Sequence, residues 1–290
     1  MVPHLGRLTL DRLGPRDLPE VFAWLDRDPV LNVYLMALLL RDALAAPRDE
    51  NWAVRGEGGI VAMLHIGHPS GAVLPLGDDA SALRLLADHI RQRLPFLPRR
   101  FQVIGPRAPV QTTLQHIALA GLRPRLERAQ TYLSLAPGAL PAFDRLPELV
   151  KAGIGDFDLV HESGARLRLE ELEEDPCRAD PAGYRRRVEE ECREGHVWLW
   201  RDEAGLCFRA SVSACTGDAA QVSGVYTPPE RRNRGLARRG LSELCTRLFE
   251  RSRAACLFVN EFNAPALALY RRLGFIERAA WHSAFFDTSR

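Results

Sequence analysis

The sequence predicts an α/β protein made of two lobes, each a mixed β-sheet flanked by helices. Three observations lead there. The chain has 290 residues, enough for two domains of ordinary size. Its expected elements run through the same order twice. Between the two runs, residues 136–143 (APGALPAF) are rich in Pro, Gly and Ala and read as a linker. The implied lobes are residues 1–137 and 144–290.

In the first half, apolar residues at helical spacing fill 18–44, and Pro29 splits them into two helices. Residues 52–54 and 59–66 read as a hairpin about the turn RGEGG, and 72–76 as a further strand. An amphipathic helix follows over 80–94, with Asp78 and Asp79 placed to cap it. Residues 101–104 form a buried strand, 110–120 a helix and 130–135 a last strand. The second half repeats this with helices over 167–174 and 182–194 and a strand over 197–200. The turn RDEAG leads to a long strand over 206–215, and Thr216-Gly217-Asp218 turns the chain into 221–227. A helix over 235–252, a strand over 255–260, a helix over 264–273 and a final strand over 279–286 complete it. The repetition points to a duplication.

Composition narrows the function classes. Hydrophobic residues make up 46% and charged residues 26%, a soluble, core-forming profile. The 39 basic and 37 acidic residues leave a net charge of +2, which excludes a dominant nucleic-acid footprint and makes a nucleic-acid partner unlikely. Lys151 is the sole lysine, so any phosphate grip must come from Arg or backbone N–H groups. No leader stands in the first 18 residues, and the most apolar run, 30–40, is too short to span a bilayer. The six cysteines form no CxxC pair and no Cys/His ligand spacing, so the expectation is a reducing cytoplasm, no metal and no membrane.

Two stretches carry chemistry. In the first, the strand Val225-Tyr226-Thr227 ends at Pro228-Pro229 and is followed by Arg232-Asn233-Arg234-Gly235-Leu236-Ala237-Arg238, which opens a helix. Small residues at 235 and 237 let a ligand approach the backbone, where successive N–H groups at a helix start suit a phosphate. In the second, Asn263-x-x-Ala266-x-x-x-Tyr270-x-x-x-Gly274-Phe275 follows an apolar strand. Spacing of four puts Ala266 and Tyr270 on one helix face, Gly274 ends the helix, and Asn263 is placed to cap it.

In this order and at this separation the two stretches resemble the GNAT superfamily of acyl-CoA N-acyltransferases, closely over about the last third of the chain. The resemblance implies a V-split sheet in each lobe, with pantetheine entering between the strands that end at Thr227 and Asn260. It further implies that Val225 N–H polarises the thioester carbonyl and that Tyr226 and Thr227 flank the pantetheine. By the same resemblance, backbone N–H groups from Asn233 to Arg238 would hold the pyrophosphate with Arg232 beside them in the cofactor site, Asn263 would bind the cofactor arm, and Tyr270 would protonate the leaving thiolate. The first half resembles a degenerate copy, because Gly77-Asp78-Asp79 stands where the phosphate loop would lie and two carboxylates repel a pyrophosphate. Tandem bacterial acyltransferases of the mycothiol-synthase kind have this layout.

One departure concerns the base. Relatives that acetylate ribosomal-protein N-termini carry a Glu where this chain has Phe258. The acidic run Glu170, Glu171, Glu173, Glu174, Asp175 lies where the family's acceptor loop begins, and it reads equally as a solvated helix face. Glu243 and Glu261 are weaker candidates, expected to face solvent, and His161, His196 and His282 lie outside both motifs. The expected function is transfer of an acyl group, acetyl first, from acyl-CoA to a small-molecule or peptide amine by direct attack in a ternary complex. The alternatives are a non-catalytic acyl-CoA sensor and an aminoacyl-tRNA-dependent transferase.

Overall fold

The structure is a computed structural model that describes residues 8–288. The first seven residues, part of the stretch read as leaderless, lie outside it. The chain divides into two compact units. One holds the residues up to Tyr132 together with Phe258–Asn263 and those from Arg278 on; the other holds Leu133–Leu257 and Ala264–Glu277.

In the first unit, β1 (Thr9–Arg12), β2 (Asp49–Gly56), β3 (Gly59–Gly67) and β4 (Ala72–Gly77) form an antiparallel run. The helices α1 (Leu18–Leu25) and α2 (Val33–Asp42) precede β2, and α3 (Ala80–Arg93) crosses over to β5 (Arg100–Pro106), which lies parallel to β4. Then come α4 (Arg107–Leu119) and β6 (Leu126–Leu135). The strand inserted next to β5 is the last of the chain, β12 (Ile276–Asp287), which runs antiparallel to it from Trp281↔Pro106 to Asp287↔Arg100. Alternation in the sequence identifies a strand but not its partner. Here the partner is set by apolar fit: Phe286 stacks on Phe101 with ring centroids 4.6 Å apart, and Ala284 is buried in the same core as Val103 and Ile117. The expectation that the closing strand belongs to the second lobe is corrected accordingly.

The second unit opens with β7 (Val150–Lys151), α5 (Phe157–Leu172), α6 (Pro176–Ala179) and α7 (Pro181–Glu194). It continues through β8 (Val197–Asp202), β9 (Gly205–Cys215), β10 (Ala220–Tyr226), α8 (Leu236–Leu248), the start of β11 (Ala255–Asn260), whose residues from Phe258 on belong to the first unit, and α9 (Ala264–Arg272). Strands β7 to β10 are antiparallel neighbours, and β11 joins β10 in parallel. Helix α5 begins ten residues before the expected 167, since Asp158, Glu162 and Ser163 interrupt the apolar spacing of its first turns. The mixed α/β sheets with flanking helices agree with the predicted fold class.

Candidate active site

Strand β10 carries the first site feature. Its parallel ladder with β11 consists of Ala220↔Ala255 and Gln221↔Cys256, after which Val222–Tyr226 has no ladder partner on that side. On the other side its register with β9 slips between Ser223↔Ser211 and Tyr226↔Arg209, so Gly224 and Val225 form a bulge. Gly224 takes φ 59°, a left-handed value that a side chain would strain. The bulge sets Val225 out of the regular ladder, at the place where the sequence put the carbonyl-polarising N–H.

Beyond β10 a buried side chain at the strand end lacks a partner. Thr227 is buried, and its hydroxyl has no hydrogen-bond partner. A buried hydroxyl left unpaired costs about 1–3 kcal/mol, which a ligand amide would recover. After a short turn, Asn233 (φ 61°) and Gly235 (φ 76°) swing the chain into α8, whose N-terminus has no side-chain cap. A Cβ built on Gly235 would meet nothing within 4 Å, so the space beside the start of α8 is clear there. Residues 232–235 are all exposed. The loop's side chains are spoken for elsewhere. Arg231 pairs with Asp202, Arg234 donates to the Glu230 carbonyl at 3.2 Å, and Arg232 donates to the Thr227 carbonyl at 3.0 Å and to Glu170 at 2.7 Å. Arg232 thus braces the loop onto α5.

Tyr270 lies buried on α9, its ring 5.7 Å from that of Phe275. Burial, with the charges of Glu171 and Cys245 adding to it, holds the phenol well above its usual pKa, so it stays protonated at neutral pH. Asn263 precedes this helix and donates its backbone N–H to the Asn260 carbonyl at 2.9 Å. Cys245, on α8, is buried and its thiol is pushed up to about 12, which leaves it no thiolate character.

Other candidates sort differently from the expectation. Glu243 is buried rather than solvent-facing: it accepts from Arg145 at 2.8 Å, from Arg247 at 2.9 Å and from the Leu146 N–H at 3.0 Å. The Arg145 bonds lead in pulling its carboxyl down to about 2. It is a structural anchor. Glu261 pairs with Arg107 in the first unit. In the acidic run Glu173 ends α5 at φ 54°, Asp175 caps α6 through the Cys177 N–H, and Glu171 turns toward a cavity. His161 is stacked between Phe157 and Tyr184, and His282 is buried against Glu127 in the first unit, whereas the exposed His196 reaches the same cavity as Glu171. Phe258, in the first unit, stacks on Trp281 at 6.0 Å.

That cavity, about 260 Å³, lies between α5, α7, β9 and the bulged stretch of β10, and Ser223 and Gly224 form part of its wall. Arg209 stands in it although its strand neighbours Phe208 and Ala210 are wholly buried and apolar. Gly164 makes room for it: a Cβ there would come within 2.7 Å of the Arg209 guanidinium and 2.5 Å of the Tyr184 hydroxyl. Sequence reasoning passed over this pocket. The one signal it offered was an arginine in the middle of the strand Leu206–Ala210.

Among the described residues no group of three or more His, Cys, Asp or Glu is arranged to hold a metal ion, and no helix is long and apolar enough to cross a membrane.

The candidate site thus combines a helix start without a side-chain cap with a bulged strand whose parallel ladder stops after two pairs. Residues 208–285 match the family model described as FR47-like protein. The chain is similar in structure to a GCN5-related N-acetyltransferase from Sphaerobacter thermophilus, at 17% identity and TM-score 0.59, covering 99% of this chain and 97% of that one. It is similar to a tandem GNAT protein from the clavulanic acid biosynthesis pathway, at 19% identity and TM-score 0.55, over 98% and 99% of the two chains. A Drosophila protein gives TM-score 0.65 at 11% identity, over 97% and 99%. No curated protein matches the sequence. The fold is like that of these GNAT proteins, a tandem one among them, and the resemblance carried by the two motifs is borne out at the level of the fold.

Proposed function

We propose that the protein is an acyl-CoA-dependent N-acyltransferase, with acetyl as the first donor to test and a primary amine as acceptor. The observation that supports this best is the contrast within one stretch of chain: the α8 N-terminus carries no cap while the strand end before it keeps Thr227 buried and unpaired. Both defects suit one ligand, a pyrophosphate on the 235–238 amides and a pantetheine amide on Thr227.

The donor supplies a thioester, whose carbonyl carbon is attacked by the amine nitrogen as the C–S bond gives way. In this reading the Val225 N–H at the bulge donates to the carbonyl oxygen as it gains negative charge. Tyr270, held protonated by burial, gives its proton to the departing sulfur and recovers one from solvent. The amine must lose a proton, and Glu171, Glu191 and His196 are the basic groups on the cavity wall. Cys245 gives no support to a covalent thioester relay, since burial keeps its thiol protonated.

The test is release of free thiol from acetyl-CoA on mixing with an amine panel, together with calorimetry for CoA. Thiol release that depends on amine supports transfer. CoA binding with no release for any amine would favour the sensor reading.

A further inference from the structure

The cavity beside the β10 bulge holds more positive charge than acyl transfer to a simple amine requires. Arg168 from α5, Arg187 from α7 and Arg209 from β9 all line it, coming from three separate elements. Among the described residues no carboxylate pairs with any of them. Arg209 donates to the Val160 carbonyl at 3.0 Å and to the Ser163 and Ser211 hydroxyls at 3.2 and 3.5 Å, all uncharged partners. Its side chain is only 4% exposed, and its Nε has no partner at all. Burying an unpaired guanidinium costs several kcal/mol, and an anion brought by a ligand offsets that cost. Burial, with Arg187 adding like charge, also holds Arg168 below its usual pKa, and the carboxylates of Glu191 and Glu174 offset this only in part. Two carboxylates, Glu171 and Glu191, line the same space. At about 260 Å³ it falls near the lower end of small-molecule pockets, roughly 300 Å³.

We propose that this cavity is the acceptor pocket and that the acceptor is a small zwitterion, a primary amine that also carries an anionic group. Arg168, Arg187 and Arg209 hold the anion, and the ammonium faces Glu171 and Glu191. The identification rests on the transferase reading, because only then does a nucleophilic nitrogen belong next to the Gly224–Val225 bulge. A planar guanidinium reads a carboxylate or phosphate in two-pronged fashion, which a lone ammonium would not offer. A purely cationic acceptor such as a polyamine meets net repulsion in the same space.

The experiment compares acetyl-CoA turnover with γ-aminobutyrate, glutamate and O-phosphoethanolamine against n-butylamine and putrescine, in the wild-type chain and in Arg187→Ala and Arg187→Lys. Arg187 is exposed, so its replacement leaves the fold intact. The expected result is at least a tenfold preference in kcat/KM for an anion-bearing amine. Arg187→Ala should raise KM for that amine about tenfold with kcat within a few-fold, and Arg187→Lys should restore part of the loss. Preference for butylamine or putrescine overturns the proposal, as does a preference that Arg187→Ala leaves untouched. Succinyl-CoA outperforming acetyl-CoA in an Arg187-dependent way also overturns it, by assigning the anion to the donor. If no amine is acylated, calorimetry with the same amines decides. Arg187-dependent binding of the anion-bearing amines would support the pocket while the transferase reading falls, and absence of such binding would sink the pocket as well.

Discussion

The parallel strand pairs of the two units, β4/β5 and β10/β11, begin alike and end differently. Both ladders stop after two residue pairs, Ala72↔Gln102 and Val73↔Val103 in the first and Ala220↔Ala255 and Gln221↔Cys256 in the second. In the first unit the opening is then filled. A Cβ on Gly105 would meet the Leu74 side chain at 3.0 Å and the Pro75 carbonyl at 3.2 Å, with Val110 behind them. The following helix, α3, is closed as well: Asp79 accepts from the N–H groups of Ser81 at 2.9 Å and Ala82 at 2.8 Å. The carboxylate takes the place that a phosphate would take at α8, whose N-terminus has no side-chain cap. One helix start is capped by its own side chain and the other is not. Capping and filling cost a few side chains and no change of fold, so two like strand pairs can differ in what they leave open.

The sharpest way to break this contrast is Gly235→Glu. The new side chain puts a carboxylate at the α8 amides and strains a left-handed residue, so acetyl-CoA affinity should fall by more than a hundredfold, read by calorimetry, while the melting temperature shifts by only a few degrees. Unchanged affinity would remove the phosphate-loop assignment. The wild-type protein should bind one CoA per chain, and two equivalent sites would erase the difference between the units.

Next in size is Tyr270→Phe, which keeps the ring's contact with Phe275 and deletes only the hydroxyl. Turnover should drop by roughly ten- to a thousandfold with acetyl-CoA affinity within a few-fold, the scale of losing a proton donor. Full activity with an intact melt would make Tyr270 a packing residue whose thiolate partner leaves unassisted.

Each unit also buries one glutamate among arginines, and these set stability rather than chemistry. Burial opposes the charged form of Glu50, yet hydrogen bonds from Arg93, His68 and Trp52 hold its carboxyl below the usual range. Glu243 is held lower, at about 2. A depressed folded-state pKa gives stability that is complete above the unfolded value near 4.5 and is lost as pH falls from there toward 2. Glu243→Gln should therefore cost about 2 kcal/mol in urea unfolding at pH 7 and progressively less at pH 4 and 3. A pH-independent loss would mean that shape, not charge, is what Glu243 supplies.

The smallest effect is expected from Asp79→Ala in the first unit. Loss of the cap should cost about 1 kcal/mol by thermal or chemical denaturation and leave CoA stoichiometry at one. A second CoA site appearing in that variant would show that the cap alone had closed the first unit.

Much of the site was legible because it is local. Helix starts, the paired prolines and the four-residue spacing of Ala266, Tyr270 and Gly274 lie within short stretches, where backbone sterics and capping act between near neighbours. Asp79 was read as a cap for the same reason. What escaped was set by partners far along the chain. Glu243 looked like one more charge on a helix face until Arg145, 98 residues away, and the Leu146 amide closed over it. Arg232 looked like a phosphate ligand and is committed to Glu170, 62 residues away.

The amino-acid sequence by itself determined the order of elements, the α/β class, the loop that opens α8 and the loss of that loop in the first half, since each follows from residue type and spacing. Tertiary structure alone decided that the last strand joins the first unit beside β5, where Phe286 finds Phe101. It alone brought Arg168, Arg187 and Arg209 to one cavity from three elements. The physical reason is that strand alternation and single charges specify a face, whereas a partner is chosen by shape and by the need to satisfy buried polar groups, and both are properties of the folded chain.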